Sequence, residues 1–371
     1  MLGKRNDKLK IGYGVISPAN FDYKTSSRTD GIYPVVNDAE SSGNEMFTGQ
    51  TNVFSRLSEV QGILAFGYRF HQNWGIGLSN FAIGRSQDYS KSAYARFNLN
   101  DANKTLSSYS LDRNVDYFHL RYVAKVGISY REKRFAAGFT IQAPSIGVAG
   151  DGTISAEMVG NQALFSGGRS NYTGYDLKEN LKPKYKTPLA FALGCNWTRK
   201  RTTLGITLEY HARQKMYSVL SAQSAGFELP GGLYQILGGE DLLRLQTGSR
   251  SVANFGIALD YFIKRNLNFV ASFRTNRSFY DHGLDELKSI KTEISTWDLY
   301  HGRAGVTIKQ GHSQLTFGFL YAAGIDNSRP QKGEFSLSTE SEILSPKLNY
   351  TKASYQSIGF LLGYSFLLFD I

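Results

Sequence analysis

Apolar side chains fall on every second position in one stretch of this chain after another. From Phe118 the first row reads Phe118, Leu120, Tyr122, Ala124, Val126, Ile128, Tyr130, and the interleaved row reads His119, Arg121, Val123, Lys125, Gly127, Ser129. Successive side chains of a strand point to opposite faces, so this spacing predicts strands with one apolar face. The same parity holds for Phe135–Ala143, Leu189–Trp197, Leu204–Tyr210, Phe255–Ile263, Leu267–Phe273, Leu315–Tyr321 and Ile358–Leu368. Connections alternate as regularly. Short turns fall at His71–Asn73, Arg131–Arg134, Arg199–Arg201, Lys264–Asn266 and Lys309–Ser313. Long polar connections are expected at Thr25–Asn44, Gln87–Asp116, Gly147–Lys186, Ser218–Arg250, His282–Ser295 and Asn327–Thr351. The pattern predicts about twelve strands, each near the ~9–11 residues that cross a bilayer when tilted.

Two of the long connections carry hairpin signals of their own. One turn is expected near Asn100–Asn103 and another at Gly150-Asp151-Gly152. Pro18 is expected to end the first strand, and Pro144 to interrupt another, because proline removes a ladder donor.

Which face is wet follows from the composition of the rows. The non-apolar row is rich in Gly, Ala, Ser and Thr, with charges interspersed. A solvated outer face would carry more charge and fewer glycines, which weaken strands. Aromatic residues gather beside the short turns (Phe70, Trp74, Tyr130, Phe135, Trp197, Tyr261), where a membrane-interface girdle belongs. The expected fold is therefore all-β. It is a transmembrane antiparallel up-and-down β-barrel of about 12 strands, with short periplasmic turns and long extracellular loops. No linker divides the chain, so residues 1–371 are expected to form one outer-membrane domain. A soluble β-protein is the alternative.

Composition narrows the picture further. Tyr, Phe and Gly number 23, 24 and 38 against 8 prolines, a balance that favours strands and tight turns. No apolar run approaches the ~20 residues of a membrane helix. The opening MLGKRNDKLK lacks the apolar middle of a signal peptide, which leaves a processed chain, a partial reading frame or a cytoplasmic protein. Cys195 is the only cysteine, so no internal disulfide forms. The net charge of +11 would suit nucleic acid or anionic lipid. Its even spread argues against nucleic acid and for outer-membrane lipid and lipopolysaccharide.

Two residue groups are candidates for function. The row expected to face the lumen carries His119, Arg121, Lys125, Glu209, His211, Arg213, Asp260, Arg274, His301 and Arg303, together with Lys10 and Arg69. It reads either as a selectivity lining or as a charge network that stiffens the lumen. The second group is the apolar connection Phe227–Leu245, with Phe227, Leu229, Leu233, Tyr234, Ile236, Leu237, Leu242, Leu243 and Leu245. It reads as a ligand-collecting site at the barrel mouth or as a lid that packs inward. The histidines lack ligand spacing, and no nucleophile–base pair stands out, so neither metal, cofactor nor catalysis is expected.

The stretches KTPLAFALGCNWTRKRTTLGITLEYHAR, ANFGIALDYFIKRNLNFVASFRTN and SIGFLLGYSFLLF resemble the FadL/TodX family of outer-membrane transporters for long-chain fatty acids and hydrocarbons. The resemblance implies passive uptake of hydrophobic, fatty-acid-like small molecules, captured at extracellular loops. It also implies an N-terminal plug and a sideways opening in the wall. The family has fourteen strands, so a count of 14 would follow if the N-terminus is truncated; the plug segment has no counterpart here. Two alternatives stand beside the transporter: a porin-like channel for polar solutes, and a structural barrel that docks envelope protein partners.

Overall fold

The computed structural model describes residues 8–36, 39–165, 168–223, 239–292, 296–331, 339–340, 343 and 349–366. Its strands are β1 (Leu9–Tyr33), β2 (Glu45–Tyr68), β3 (Trp74–Asn98), β4 (Leu106–Arg131), β5 (Phe135–Gln142), β6 (Ile146–Phe165), β7 (Gly168–Lys178) and β8 (Ala190–Arg199). They continue as β9 (Thr202–His211), β10 (Gln214–Ser221), β11 (Arg244–Ser249), β12 (Val252–Lys264), β13 (Leu267–Asn276), β14 (Asp298–Gln310), β15 (Ser313–Gln331) and β16 (Asn349–Phe366).

One antiparallel sheet of 14 strands holds nearly all of them, with a path of β1-β2-β3-β4-β5-β8-β9-β12-β13-β14-β15-β16. That path is the expected twelve. The other two, β6 and β7, are continuations of it. β6 takes over from β5 along β4, and β7 pairs with β6 as β8 pairs with β5. β10 and β11 form a separate two-stranded ladder and prolong β9 and β12 in the same way, with Leu245 also bridging Ile290.

The two faces match the expected parity. Phe118, Tyr122, Val126 and Ile128 are exposed, while His119, Arg121 and Val123 between them are buried. Phe139 and Ile141 on β5, Leu193 and Trp197 on β8, and Ile206 and Leu208 on β9 extend the same exposed apolar surface. An apolar outer belt this continuous belongs in hydrocarbon. Beside the short turns the aromatics touch: Trp74 and Tyr130 lie 4.9 Å apart, and Tyr130 and Phe135 6.4 Å.

Several expected loops are strand instead. β1 to β4 run for 25, 24, 25 and 26 residues, more than twice what one crossing needs. Thr25–Tyr33, Gln87–Asn98 and Leu106–Asp116 lie within these strands. Their polar residues misled the reading because these parts stand beyond the bilayer, where the outer face meets water. Their inner faces stay apolar and fill the interior with Phe47, Val53, Tyr89, Phe97, Leu111 and Val115, joined by Ile154 and Met158 of β6.

The hairpin expected at Gly150–Gly152 is also absent: β6 passes straight through, pairing Gly150 with His119 and Gly152 with Tyr117. The glycines serve close packing. A Cβ at Gly152 would lie 2.8 Å from Tyr117 Cβ and 3.1 Å from the methyls of Leu220 on β10. Pro18 does not end β1; it sits at a bulge between Ile16 and Ala19. Pro144 does fall at a break, between β5 and β6. The turn near Asn100–Asn103 joins β3 to β4 as expected, with Lys104 at φ 47°.

At the long-connection end the sheet curls until its distant parts meet. Glu340, between β15 and β16, donates its backbone N–H to Val35 O between β1 and β2. Ile343 joins the same apolar core as Val35, Leu242 and Ile290.

Candidate functional site

The interior divides into three levels along the strands. On β2 the inward residues from Glu45 to Ser55, and again Glu59, are buried, while those beyond Glu59, toward the short turn, are partly accessible. The apolar core fills the upper level. Beneath it lies a polar layer, and beneath that an accessible lumen.

The polar layer is held by adjacent rungs of β2, β3 and β4. Glu59 pairs in register with Arg85, and Arg85 with His119. Glu59 accepts from Arg121 Nη2 at 2.6 Å and lies 3.6 Å from Arg85 Nη1. Arg85 also donates to Tyr117 Oη at 3.0 Å and to Gln87 at 3.2 Å. The ring of Tyr185 covers both guanidiniums, 3.9 Å from Arg85 and 5.1 Å from Arg121. His119 and Arg121 are each 3% exposed, yet His119 Nδ1 and Arg121 Nη1 have no partner. Two cations therefore share one carboxylate in a buried place.

Tyr185 reaches this layer because of an irregularity in the wall. Between Lys178 and Ala190 the chain leaves the ladder, and β5–β6 breaks at the same height. Residues 179–189 keep single bonds to β6, β10 and the break: Leu181 N–H to Gly152 O, Lys184 N–H to Val219 O, and Ser145 N–H to Thr187 O. Asn180 has φ 56°. Regular alternation would turn even positions inward, as at Lys178 and Ala190. Here the odd positions Pro183, Tyr185 and Thr187 turn in, and Lys182, Lys184 and Lys186 stay exposed. A one-residue slip reverses every face until a second slip restores it. Above this strap, burial and then Tyr185 push the Tyr217 hydroxyl well above the usual phenol range.

The lumen has two unlike walls. Over β1–β5, β8 and β9 lies a cavity of ≈ 960 Å³. Gly12, Ala65, Gly75, Gly77, Ser79, Gly127, Ser129 and Gly138 line it, with Lys8, Lys10, Arg69, Lys125 and Arg131 and no acidic side chain. Over the inward face of β12–β16 lies a second cavity of ≈ 480 Å³, almost wholly apolar. Val270, Gly305, Gly318, Leu320 and Leu361 line it together with Asp260 and Arg303.

The sequence-derived lumen residues therefore separate. His119 and Arg121 belong to the buried polar layer. Lys125 and His211 share a rung, linked through Gln142 and Ala190. Arg274 faces His301, and Arg303 faces Ser272. Asp260 and Glu209 sit on the same inner face, opposite Val270 and Asn254. Arg213 lies between β9 and β10 and pairs with Asp281 at 3.0 Å. Of the collecting loop, Leu242, Leu243 and Leu245 are 1%, 0% and 1% exposed in the upper core. Phe227, Leu229, Leu233, Tyr234, Ile236 and Leu237 lie outside the described residues. Sequence reading missed Glu59, Arg85 and Tyr185. Alternation through RLSEVQGILAFGY would have placed Glu59 inward; nothing local marks Tyr185.

No family model matches the sequence, and no curated protein matches it. Among solved structures, a Pseudomonas aeruginosa FadL homologue is similar over 96% of this chain and 90% of its own, with 11% identity and a TM-score of 0.49. The P. putida toluene transporter TodX matches 97% of this chain and 78% of its own, with 11% identity and a TM-score of 0.47. The Ralstonia pickettii toluene transporter TbuX matches 96% and 89%, with 11% identity and a TM-score of 0.45. At such identity and TM-score none of these carries an activity across; the fold stands on the strand register itself.

Proposed function

We propose that this chain is a β-barrel of the Gram-negative outer membrane that takes up hydrophobic small molecules passively, without catalysis. Its ligands are fatty-acid-like: one anionic end and one apolar body. The two-sided lumen carries this reading. An amphiphile can lay its chain along Val270, Leu320 and Leu361 while its head meets a wall of cations that contains no carboxylate. The sequence resemblance to the FadL/TodX family points the same way. In this reading Lys10, Arg69 and Lys125 of the cationic wall orient the head group, and Leu242, Leu243 and Leu245 help close the interior above it. The break at Pro144 stands where a sideways passage would open. Short turns then face the periplasm, and the basic excess meets lipopolysaccharide and lipid phosphates.

Uptake by proteoliposomes tests the proposal. Saturable uptake of laurate above protein-free vesicles is expected, with Lys125→Met reducing it several-fold. No uptake of laurate or lauryl alcohol above the vesicle control overturns it. A porin for polar solutes needs an open pore, whereas the described upper interior is packed with apolar side chains. Lasting conductance with no amphiphile uptake would favour the porin.

A further inference from the structure

Between the packed upper interior and the open lumen, the polar layer is the last barrier, and it is built around an unsatisfied site. Arg85 and Arg121 are buried beside the single carboxylate of Glu59. Arg121 Nη1 and His119 Nδ1, each in a side chain 3% exposed, have no hydrogen-bond partner. A buried donor without an acceptor is costly, and an oxyanion would satisfy it with a charge-assisted bond. Beside these donors lies the ring of Tyr185, its centroid 3.9 Å from Arg85 Cζ and 5.1 Å from Arg121 Cζ. A ring offers a cation only its quadrupole, a weaker partner than a carboxylate.

Tyr185 is also the part of the layer best able to leave. Thr187 of the same segment accepts from Arg121 Nε at 2.8 Å, and the remaining members stand on β2, β3 or β4, which pair along their full lengths. Tyr185 stands on residues 179–189, held by scattered hydrogen bonds between two face reversals. The segment reads K-P-K-Y-K-T-P in its middle, with Pro183 and Pro188 lacking the donors a ladder requires. It cannot settle into the wall as a regular strand.

Building on the transporter reading above, we propose that Tyr185 is a stopper on an oxyanion site formed by Arg85, Arg121 and His119. An incoming carboxylate takes the place of the ring, and residues 179–189 swing clear of the lumen. The exchange is noncovalent: the carboxylate accepts from Arg121 Nη1, and Glu59 keeps its bond to Arg121 Nη2.

Planar-bilayer conductance of the full chain tests this, using wild type, Tyr185→Ala, Tyr185→Phe and Arg121→Lys. Wild type and Tyr185→Phe are expected to be closed in chloride salt. Tyr185→Ala is expected to conduct several-fold more and to prefer anions, because the guanidiniums are uncovered beside the wall break at Pro144, a route that bypasses the packed upper interior. Laurate is expected to raise wild-type conductance, while lauryl alcohol and acetate do not, and Arg121→Lys is expected to blunt the response. A Tyr185→Ala protein that migrates as folded and stays as closed as wild type overturns the stopper. Equal responses to laurate and lauryl alcohol overturn the oxyanion site, and a response to acetate alone assigns it to small free anions. If no amphiphile is transported, the uptake reading fails, and the Tyr185→Ala conductance still decides the stopper.

Discussion

Arg169 on β7 holds Glu340, between β15 and β16, in a two-pronged bond of 2.7 and 2.9 Å, joining segments 171 residues apart. Glu340 also accepts from Tyr109 Oη at 2.6 Å, and Arg169 reaches Glu40 at 2.9 Å. Burial and then Glu340 push the Tyr109 hydroxyl far above its usual range, so it remains a donor at any physiological pH. One clasp therefore ties three connections over the apolar core.

Breaking this clasp should loosen the long-connection end and leave the wall intact. Arg169→Ala strands the 4%-exposed Glu340 carboxylate without its cation. A loss of about 3 kcal/mol is expected, the cost of breaking a buried pair from one side. Urea unfolding in detergent or bilayers measures it, and protease sensitivity confined to residues beyond the bilayer locates it. Unchanged stability would show that the clasp is decorative.

Glu59→Gln leaves Arg85 and Arg121 facing each other with no counter-charge. About 3–5 kcal/mol of destabilisation is expected, which the double variant Glu59→Gln/Arg121→Met should partly restore. The free energies of unfolding of wild type, Glu59→Gln, Arg121→Met and the double variant close the cycle and give the coupling between the residues.

Gly152→Val probes the straight passage of β6. Its side chain would meet Tyr117 Cβ and Leu220, where space ends at 2.8 and 3.1 Å. Overpacking of about 1–3 kcal/mol is expected. Urea unfolding measures it, and a Gly152→Val protein as stable as wild type would contradict the close packing against Tyr117 and Leu220.

Adjacent residues on β9 test the orientation of the wall. Ile206→Lys places a charge near the middle of the outer belt and should cost about 2–4 kcal/mol. Thr207→Lys points into the lumen and should cost far less. Equal penalties, read from folding yield and unfolding in lipid vesicles, would contradict the assignment of faces.

Parity carried most of this architecture at the level of sequence. Phe118 to Tyr130 and Phe135 to Ile141 alternate strictly because each strand has lipid on one side and the interior on the other. The charged turn Arg131–Arg134 and its counterparts mark each return of the chain for the same reason. The extra length of β1 to β4 was less legible. Above the bilayer the outer face turns polar, and polar residues read as loop. Leu242, Leu243 and Leu245 showed themselves as apolar groups that water would reject, each offering about 1.5–3 kcal/mol on burial. Alternation alone could not say which surface would receive them.

By itself, then, the sequence determined the strands, their faces, the short-turn end and the twelve-fold path, since these depend on residues two positions apart. The tertiary structure alone decided the polar layer and its stopper. Glu59, Arg85, Arg121 and Tyr185 come from four separate segments and meet only once the sheet has curled. Tyr185 points inward only because the face pattern slips on either side of it. A slip of that kind depends on how neighbouring strands fail to pair, which no local pattern encodes.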